Sequence, residues 1–236
     1  MDQSNRGNKS VREDQSGPSS ELLDGFPIEA FRESLIAWHE ENRREFPWRR
    51  DVSPFQLLVA EVLLAQTPAT RVAEHYSSLL NDYPTASSFA NAEEAELVRR
   101  LEPLGFQNQR ASTLIEIGRQ CSTGGVPKDE TLLRELPYVG EYTAAAMLCF
   151  GFGEPVAVVD ANVVRIYRRV FDRTLTPQDE SWMVANELVP DTGSDAQKFN
   201  YALLDLGAQV CTDAAPFCDE CPVVEHCTYG SLDVHL

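Results

Sequence analysis

Apolar residues recur along this chain at the three- and four-residue spacing of α-helices and almost nowhere in the alternation of strands. In the first such segment, Phe31, Leu35 and Ile36 share one helical face. The same spacing predicts helices over 31–44, 55–66, 109–121, 129–136, 143–150, 160–171 and 196–209. The pattern allows one short extended piece, at 156–159. The sequence therefore predicts an all-α fold.

Local start signals add to this pattern. Ser53-Pro54 places proline in the first turn of a helix, Asn91-Ala-Glu-Glu94 has the form of a capping box, and Thr176-Pro177 predicts a further start. The helix that follows Pro54 is apolar nearly all round, so we expect it to be buried. A charged residue inside that buried helix would be unusual and would need an explanation.

The charge of the chain limits the partners that it can bind. Its 37 acidic and 20 basic residues give a net charge of −17, and its only lysines are Lys9, Lys128 and Lys198. Such a balance argues against nucleic-acid binding unless a few arginines and backbone amides do the work. Acidic, lysine-poor chains are typical of halophilic archaea, where high salt screens charge. Residues 1–25 are polar and are expected to be disordered. No apolar run suggests a signal peptide or membrane span, so we expect a cytoplasmic protein.

Four cysteines near the C-terminus predict a metal centre. Cys211, Cys218, Cys221 and Cys227 have the spacing C-x6-C-x2-C-x5-C. In a chain without an export signal, four clustered thiolates suit an iron–sulfur cluster or a structural zinc ion. The spacing alone leaves both metals open.

A tight turn between two predicted helices is a candidate DNA contact. The segment 136–144 reads Leu-Pro-Tyr-Val-Gly-Glu-Tyr-Thr-Ala, with Gly140 before the second helix. Unpaired amides at a helix N-terminus bind phosphate without needing a basic side chain. A plain helix–helix connection is favoured about two to one when this segment is considered alone.

Two carboxylates are candidates for catalysis. Glu61 interrupts an apolar helix, and a buried carboxyl can keep its proton and act as a general acid. Asp160 precedes a predicted helix. The alternatives are a core glutamate paired with an arginine and an ordinary N-cap aspartate.

The order and spacing of several motifs make the chain resemble the helix–hairpin–helix DNA glycosylase superfamily, in the branch of endonuclease III and MutY. It is most similar to the archaeal Mig-type mismatch thymine glycosylases. The matching stretches are Phe46-Pro-Trp-Arg49, 60–64 with Gln66-Thr67, 108–111, 136–144, 159–163, Phe199-Asn200, 204–208 and the four cysteines. The resemblance implies a two-lobed helical fold, with residues 26–50 and 164–236 in a cluster-bearing lobe and 51–163 in a six-helix lobe that contains the hairpin at about 129–150.

The resemblance also implies roles for individual residues. Asp160 matches the essential aspartate, Glu61 the glutamate that protonates the base, and Tyr142 the position of the Schiff-base lysine of endonuclease III. A phenol forms no imine, so a glycosylase with little lyase activity is expected. The four cysteines match the ligands of a [4Fe–4S] cluster. DNA contacts are implied for Gln66, Gln107, Asn108, Val139, Gly140, Thr143 and Asn162.

The base that is excised is the open question. The sequence Asp-Ala-Asn at 160–162, the turn Gln-Asn-Gln-Arg-Ala at 107–111 and a chain that ends soon after the cysteines favour thymine or uracil opposite guanine. The alternatives are a MutY-like adenine glycosylase and a protein that only binds damaged DNA. A monomer acting on double-stranded DNA is expected. Tyr138 departs from the family pattern, which has glycine at this position of the hairpin.

Overall fold

The computed structural model describes residues 23–171 and 179–233, and every regular element in these two ranges is helical. The all-α prediction is therefore confirmed for the described residues. The α-helices are α1 (Ile28–Asn42), α2 (Pro54–Leu64), α3 (Ala69–Asp82), α4 (Ala86–Ala90), α5 (Glu94–Leu101), α6 (Gln107–Cys121), α7 (Glu130–Arg134), α8 (Glu141–Ala146), α9 (Ala161–Val170), α10 (Asp179–Leu188), α11 (Gly193–Gln209) and α12 (Thr228–Asp233). A π-helical turn, Met147–Gly151, continues α8, and short 3-10 turns cover Pro47–Arg49, Glu102–Leu104, Cys218–Glu220 and Val224–His226.

The structure corrects the start of one predicted helix. Asn91 does not cap the helix that follows it; it ends α4, and the Glu93 side chain caps α5 by accepting from the amides of Ala95 and Glu96. The reason is that 86–90 already forms a helical turn, so the chain needs Asn91 as a C-cap. The predicted start at Thr176-Pro177 and residues 1–22 of the predicted polar tail lie outside the described residues.

Buried apolar side chains form two main clusters. One contains residues from 46 to 147 and is built around α2, α3 and α6, and the other joins α1 to residues 157–223. Phe46 and Trp48 pack into the first cluster, and Ala157 and Val159 into the second. We propose that these clusters are the two lobes.

The lobes meet where α2, the π-turn and the N-terminus of α9 come together. Ser53 caps α2 in a capping box with Gln56, and Pro54 fills the first turn, so this helix begins at a defined residue. α11 packs against α1 and α9. Gly207 on α11 permits this approach, because a Cβ there would lie 2.6 Å from the Asn162 Cβ. The start of α9 is thereby held close against α11.

Candidate active site

The predicted carboxylates Glu61 and Asp160 line one cavity of about 250 Å³, together with Tyr142 and Asn162. These four residues come from α2, α8 and the start of α9. Their positions along the chain did not indicate how close these four side chains lie to one another. The fold brings them together in one cavity. The remaining wall is largely aromatic and arginine-rich, formed by Arg44, Phe46, Trp48, Arg49, Phe150 and Tyr201 among others.

Glu61 is a buried acid that can keep its proton at neutral pH. Its side chain sits within the apolar helix α2 and only 8% of the residue is exposed. The pKa of Glu61 is raised to about 7: burial raises it most, the negative charge of Asp160 adds to this, and Arg49 opposes both. The Arg49 guanidinium hydrogen-bonds Asp205, which favours the general acid over the alternative of a core glutamate paired with an arginine.

Asp160 is both a helix cap and a fixed carboxylate. Its Oδ1 accepts from the Val163 amide at 2.8 Å, and its Oδ2 accepts from the Asn162 Nδ2 at 2.7 Å. Asn162 is itself held, because its Oδ1 accepts from an Nη2 of Arg165 at 2.9 Å. The carboxyl group therefore has a fixed position at the N-terminus of α9. The cap and catalytic interpretations of Asp160 are therefore compatible.

Tyr142 supplies a neutral phenol to the same cavity. Burial raises the pKa of Tyr142 well above its usual range, and the charges of Glu61 and Asp160 raise it further. The side chain therefore stays protonated across the physiological range. It can donate a hydrogen bond, but it is neither a base nor an amine nucleophile.

Sequence reasoning missed two residues of this wall, Arg49 and Tyr201. The Arg49 guanidinium lies 4.4 Å from the centre of the Tyr201 ring, which stacks on Phe150 at 3.9 Å. It also binds the buried Asp205 through two hydrogen bonds of 2.8 and 2.9 Å. Arg49 belongs to a quoted motif, but no signal in the sequence connected it with a residue 156 positions away.

Asp205 organises the positive charges behind the cavity. Arg44 donates to Asp205 Oδ1 at 2.6 Å, and His39 lies 3.2 Å from Oδ2. Burial alone would raise the pKa of Asp205, but the hydrogen bonds from His39 and Arg49 hold it well below its usual range. The carboxylate is therefore ionised and orients Arg49 beside Glu61.

The predicted hairpin joins α7 to α8. Asp129 caps α7, and Gly140 is the exposed N-cap of α8. The amide of Val139 donates to the Leu136 carbonyl at 3.2 Å, so it is engaged within the turn. No protein atom lies within 4 Å of a Cβ built at Gly140, which leaves room for another molecule to approach the backbone.

Three of the residues predicted to contact DNA, Gln66, Gln107 and Asn108, lie in two different places. Gln66 lines a second, smaller cavity, but Gln107 and Asn108 lie in the first turn of α6 and outside this cavity. The residue that protrudes instead is Phe106, which caps α6, is 54% exposed and has a φ of 48°. The sequence gives no direct signal for it, because glycine ordinarily marks such a φ and here Gly105 precedes Phe106.

The four C-terminal cysteines line one small cavity with apolar neighbours. The negative charges of Cys211, Cys218 and Cys227 add to burial in raising the pKa of Cys221, which shows that the four lie close together. Arg169 donates to the Cys211 Sγ at 3.3 Å, and the Gly230 amide donates to the Cys227 Sγ at 3.4 Å. Within the described ranges, no three His, Cys, Asp or Glu side chains are placed to hold one metal ion.

Comparisons with known proteins agree on one family. The profile of the HhH-GPD superfamily of base excision DNA repair proteins matches residues 59–190. The thymine-DNA glycosylase of Aeropyrum pernix is 36% identical, over 90% of this chain and 99% of its own. The adenine DNA glycosylase of Mycolicibacterium smegmatis is 40% identical, over 84% of this chain and 68% of its own. The solved structure of a thermostable thymine-DNA glycosylase superposes with a TM-score of 0.82 at 31% identity, over 89% of this chain and 99% of that one.

Proposed function

Since this chain belongs to the HhH-GPD superfamily of base excision DNA repair proteins, we propose that it removes thymine or uracil mispaired with guanine from double-stranded DNA. Membership confirms the resemblance drawn from the motifs, and with it a DNA glycosylase that acts on DNA. The observation that carries the proposal is that Glu61, with its raised pKa, and Asp160, held by two hydrogen bonds, line one cavity.

The choice of thymine or uracil is supported by the extent of similarity. The match with the thymine-DNA glycosylase of Aeropyrum pernix covers 99% of that protein. The solved structure of a thymine-DNA glycosylase superposes on 89% of this chain. A mispaired pyrimidine also costs less to flip out of the helix than a paired base. A glycosylase of this specificity therefore gains selectivity before the base reaches the cavity.

The proposed reaction breaks the bond between the base and C1′ of the sugar. Positive charge develops on the sugar, and the Asp160 carboxylate, fixed by Val163 and Asn162, stabilises it or activates the water that adds to C1′. The departing base accumulates negative charge and receives the proton of Glu61. The products are the free base and an abasic site, with one water consumed.

Tyr142 is proposed to restrict the reaction to base release, without cleavage of the DNA strand. Its neutral phenol lies beside Glu61 and Asp160 and can orient the flipped nucleotide. Cleavage of the strand through an imine needs an amine at this place. We therefore infer a monofunctional glycosylase that leaves the abasic site intact.

DNA would be held by the hairpin and by residues near the cavity. Gly140 and the first amides of α8, including that of Thr143, are proposed to contact phosphate, with Val139 shaping the turn from inside. Asn162 is proposed to act beside the flipped nucleotide, since it lines the cavity. Gln66 is proposed to enter the duplex, with Gln107 and Asn108 following Phe106 at the surface.

A [4Fe–4S] cluster is the group that the four cysteines fit best. All four line one cavity, and four cysteine thiolates are the ligand set of such a cluster. The N–H donors of Arg169 and Gly230 suit thiolate ligands. With four cysteine ligands no iron is open to substrate, so the group supplies structure to the C-terminal loop.

An adenine glycosylase is the second candidate, because the relative from Mycolicibacterium smegmatis is 40% identical and a protonated glutamate also suits release of adenine.

The test is a panel of duplexes containing T:G, U:G, A:G and A:8-oxoguanine at molar salt, followed by alkali. The proposal expects alkali-dependent cleavage first at T:G and U:G. Faster cleavage of the adenine strands would make the second candidate the better answer. Duplex binding without base release from any substrate would favour the binding-only alternative.

A further inference from the structure

Three strained residues gather at one surface cavity. Gln66, Phe106 and Tyr138 have φ values of 59°, 48° and 65°, and they are the non-glycine residues with positive φ in the described part of the chain. Side chains in this left-handed region crowd the backbone, so it is costly for a bulky residue. The three come from different loops, yet all line the same cavity of about 100 Å³.

Tyr138 has no packing role that accounts for its strain. It is 59% exposed, so its ring contributes little to the core. Glycine would adopt the same φ without strain and would leave the turn intact. An exposed aromatic ring held at this cost suggests contact with a ligand.

The walls of this cavity are held in place by Arg110. Its guanidinium donates to the carbonyls of Leu104 and Gly105 on one loop, at 2.6 and 2.8 Å. It also donates to the Ala65 carbonyl at 2.6 Å and the Thr67 Oγ1 at 2.7 Å on the other. Only 4% of Arg110 is exposed, so these loops are braced from within the protein.

The cavity lies next to the active site. Leu64 and Thr67 line the active-site cavity, whereas Ala65 and Gln66, between them in sequence, line this one. A single short segment therefore separates the two spaces. When a base is flipped into the first, its former partner remains in the duplex on the other side of the segment.

We propose that the Tyr138 ring stacks on the base left unpaired, beside Phe106 and Gln66, and so favours a purine such as guanine opposite the excised base. This inference rests on the proposed glycosylase function and deepens it. Aromatic rings bind bases through their faces, and a purine offers a larger face than a pyrimidine. The hairpin would then contact both strands: phosphate near Gly140 and the opposite base through Tyr138.

The test measures binding rather than base release, so it remains informative if the assignment of thymine or uracil fails. The dissociation constant is determined for a duplex with a stable abasic analogue opposite guanine, and for one with the analogue opposite a second abasic analogue. Tyr138→Gly should bind the first duplex about tenfold more weakly than the wild type and the second equally well. Tyr138→Phe should retain the wild-type affinity for both.

Leu132→Ala is the matched control, because Leu132 is an exposed apolar residue on α7 outside the cavity. It should bind both duplexes as the wild type does. Thermal unfolding of Tyr138→Gly should be no lower than that of the wild type, since the substitution relieves a positive φ. Equal loss on both duplexes, or no loss on either, would overturn the proposal.

Discussion

The charge of Asp160 adds to burial in raising the pKa of Glu61, which reaches about 7 against the opposing charge of Arg49, so Glu61 is partly protonated at neutral pH. The Asp160 carboxyl group is held by hydrogen bonds from the Val163 amide and the Asn162 side chain at the start of α9. Glu61 lies within the apolar helix α2. Environments that separate the protonation of two acids are typical of an acid and an anion with distinct catalytic roles.

Asp160→Asn should abolish base release and leave DNA binding intact. The amide keeps the size of the side chain and a cap for α9, but it removes the negative charge that stabilises the sugar cation. We expect a loss of about 10²–10⁴-fold in the single-turnover rate. Binding to an abasic-analogue duplex, measured in parallel, should stay within about twofold of the wild type. Near-normal turnover would show that Asp160 is only a cap.

Tyr142→Lys should create an enzyme that can be trapped on DNA by borohydride. The lysine amine would stand in the active-site cavity, where it can attack C1′ to form an imine. The wild type should give little trapped complex, and its product strand should stay intact until alkali is added. Tyr142→Phe is the control and should trap no more than the wild type. Strong trapping by the wild type would contradict a monofunctional enzyme.

The sequence predicted much of the site, because each of its chemical groups stands in a local pattern. Glu61 interrupts an apolar helix, and Asp160 precedes a helix start. The sequence did not predict Arg49 beside Glu61, since its orientation depends on Asp205 in another helix. Long-range ion pairs leave no periodic signal.

The helix α3 was also absent from the prediction, as were the short helices α4 and α12, although a signal for α3 exists. Its buried residues Val72, Tyr76, Leu79 and Leu80 recur at three- and four-residue spacing. The left-handed turn at Phe106 was harder to predict. Glycine is the residue that ordinarily marks such a φ, and here Gly105 precedes it.

Asp205→Asn should destabilise the fold by about 3 kcal/mol at neutral pH, because Arg44 and Arg49 lose their buried counter-charge. The pKa of Asp205 is lowered in the folded state, so its contribution is present above the ordinary aspartate pKa and is lost as the pH falls through the lower, folded value. The difference between variant and wild type in urea unfolding should therefore shrink in acid. Glu45→Gln is the control, since Glu45 pairs with Arg43 and Arg50 at the surface; it should change stability by less than about 0.5 kcal/mol.

The cysteine loop should carry iron. Purified protein should be brown, with about four irons per chain, and Cys218→Ser should lose iron and unfold more readily. The Cys121→Ala protein should keep its iron, because Cys121 is buried in the apolar cluster built around α2, α3 and α6, whereas the four ligand cysteines lie in the C-terminal loop. Colourless protein with one equivalent of zinc would contradict the assignment of the cluster.

The protonated state of Glu61 is the central claim, and the pH dependence of base release tests it most directly. Since the pKa of Glu61 is raised to about 7, the acid form is present below this pH and is lost above it. The single-turnover rate on a T:G duplex should therefore be level well below pH 7, fall to about half near pH 7, and approach a tenfold fall per pH unit well above it. In Glu61→Gln the rate should be low and should not show this decline. A wild-type rate that stays level from pH 7 to pH 9, or a Glu61→Gln enzyme with the same decline, would contradict the account.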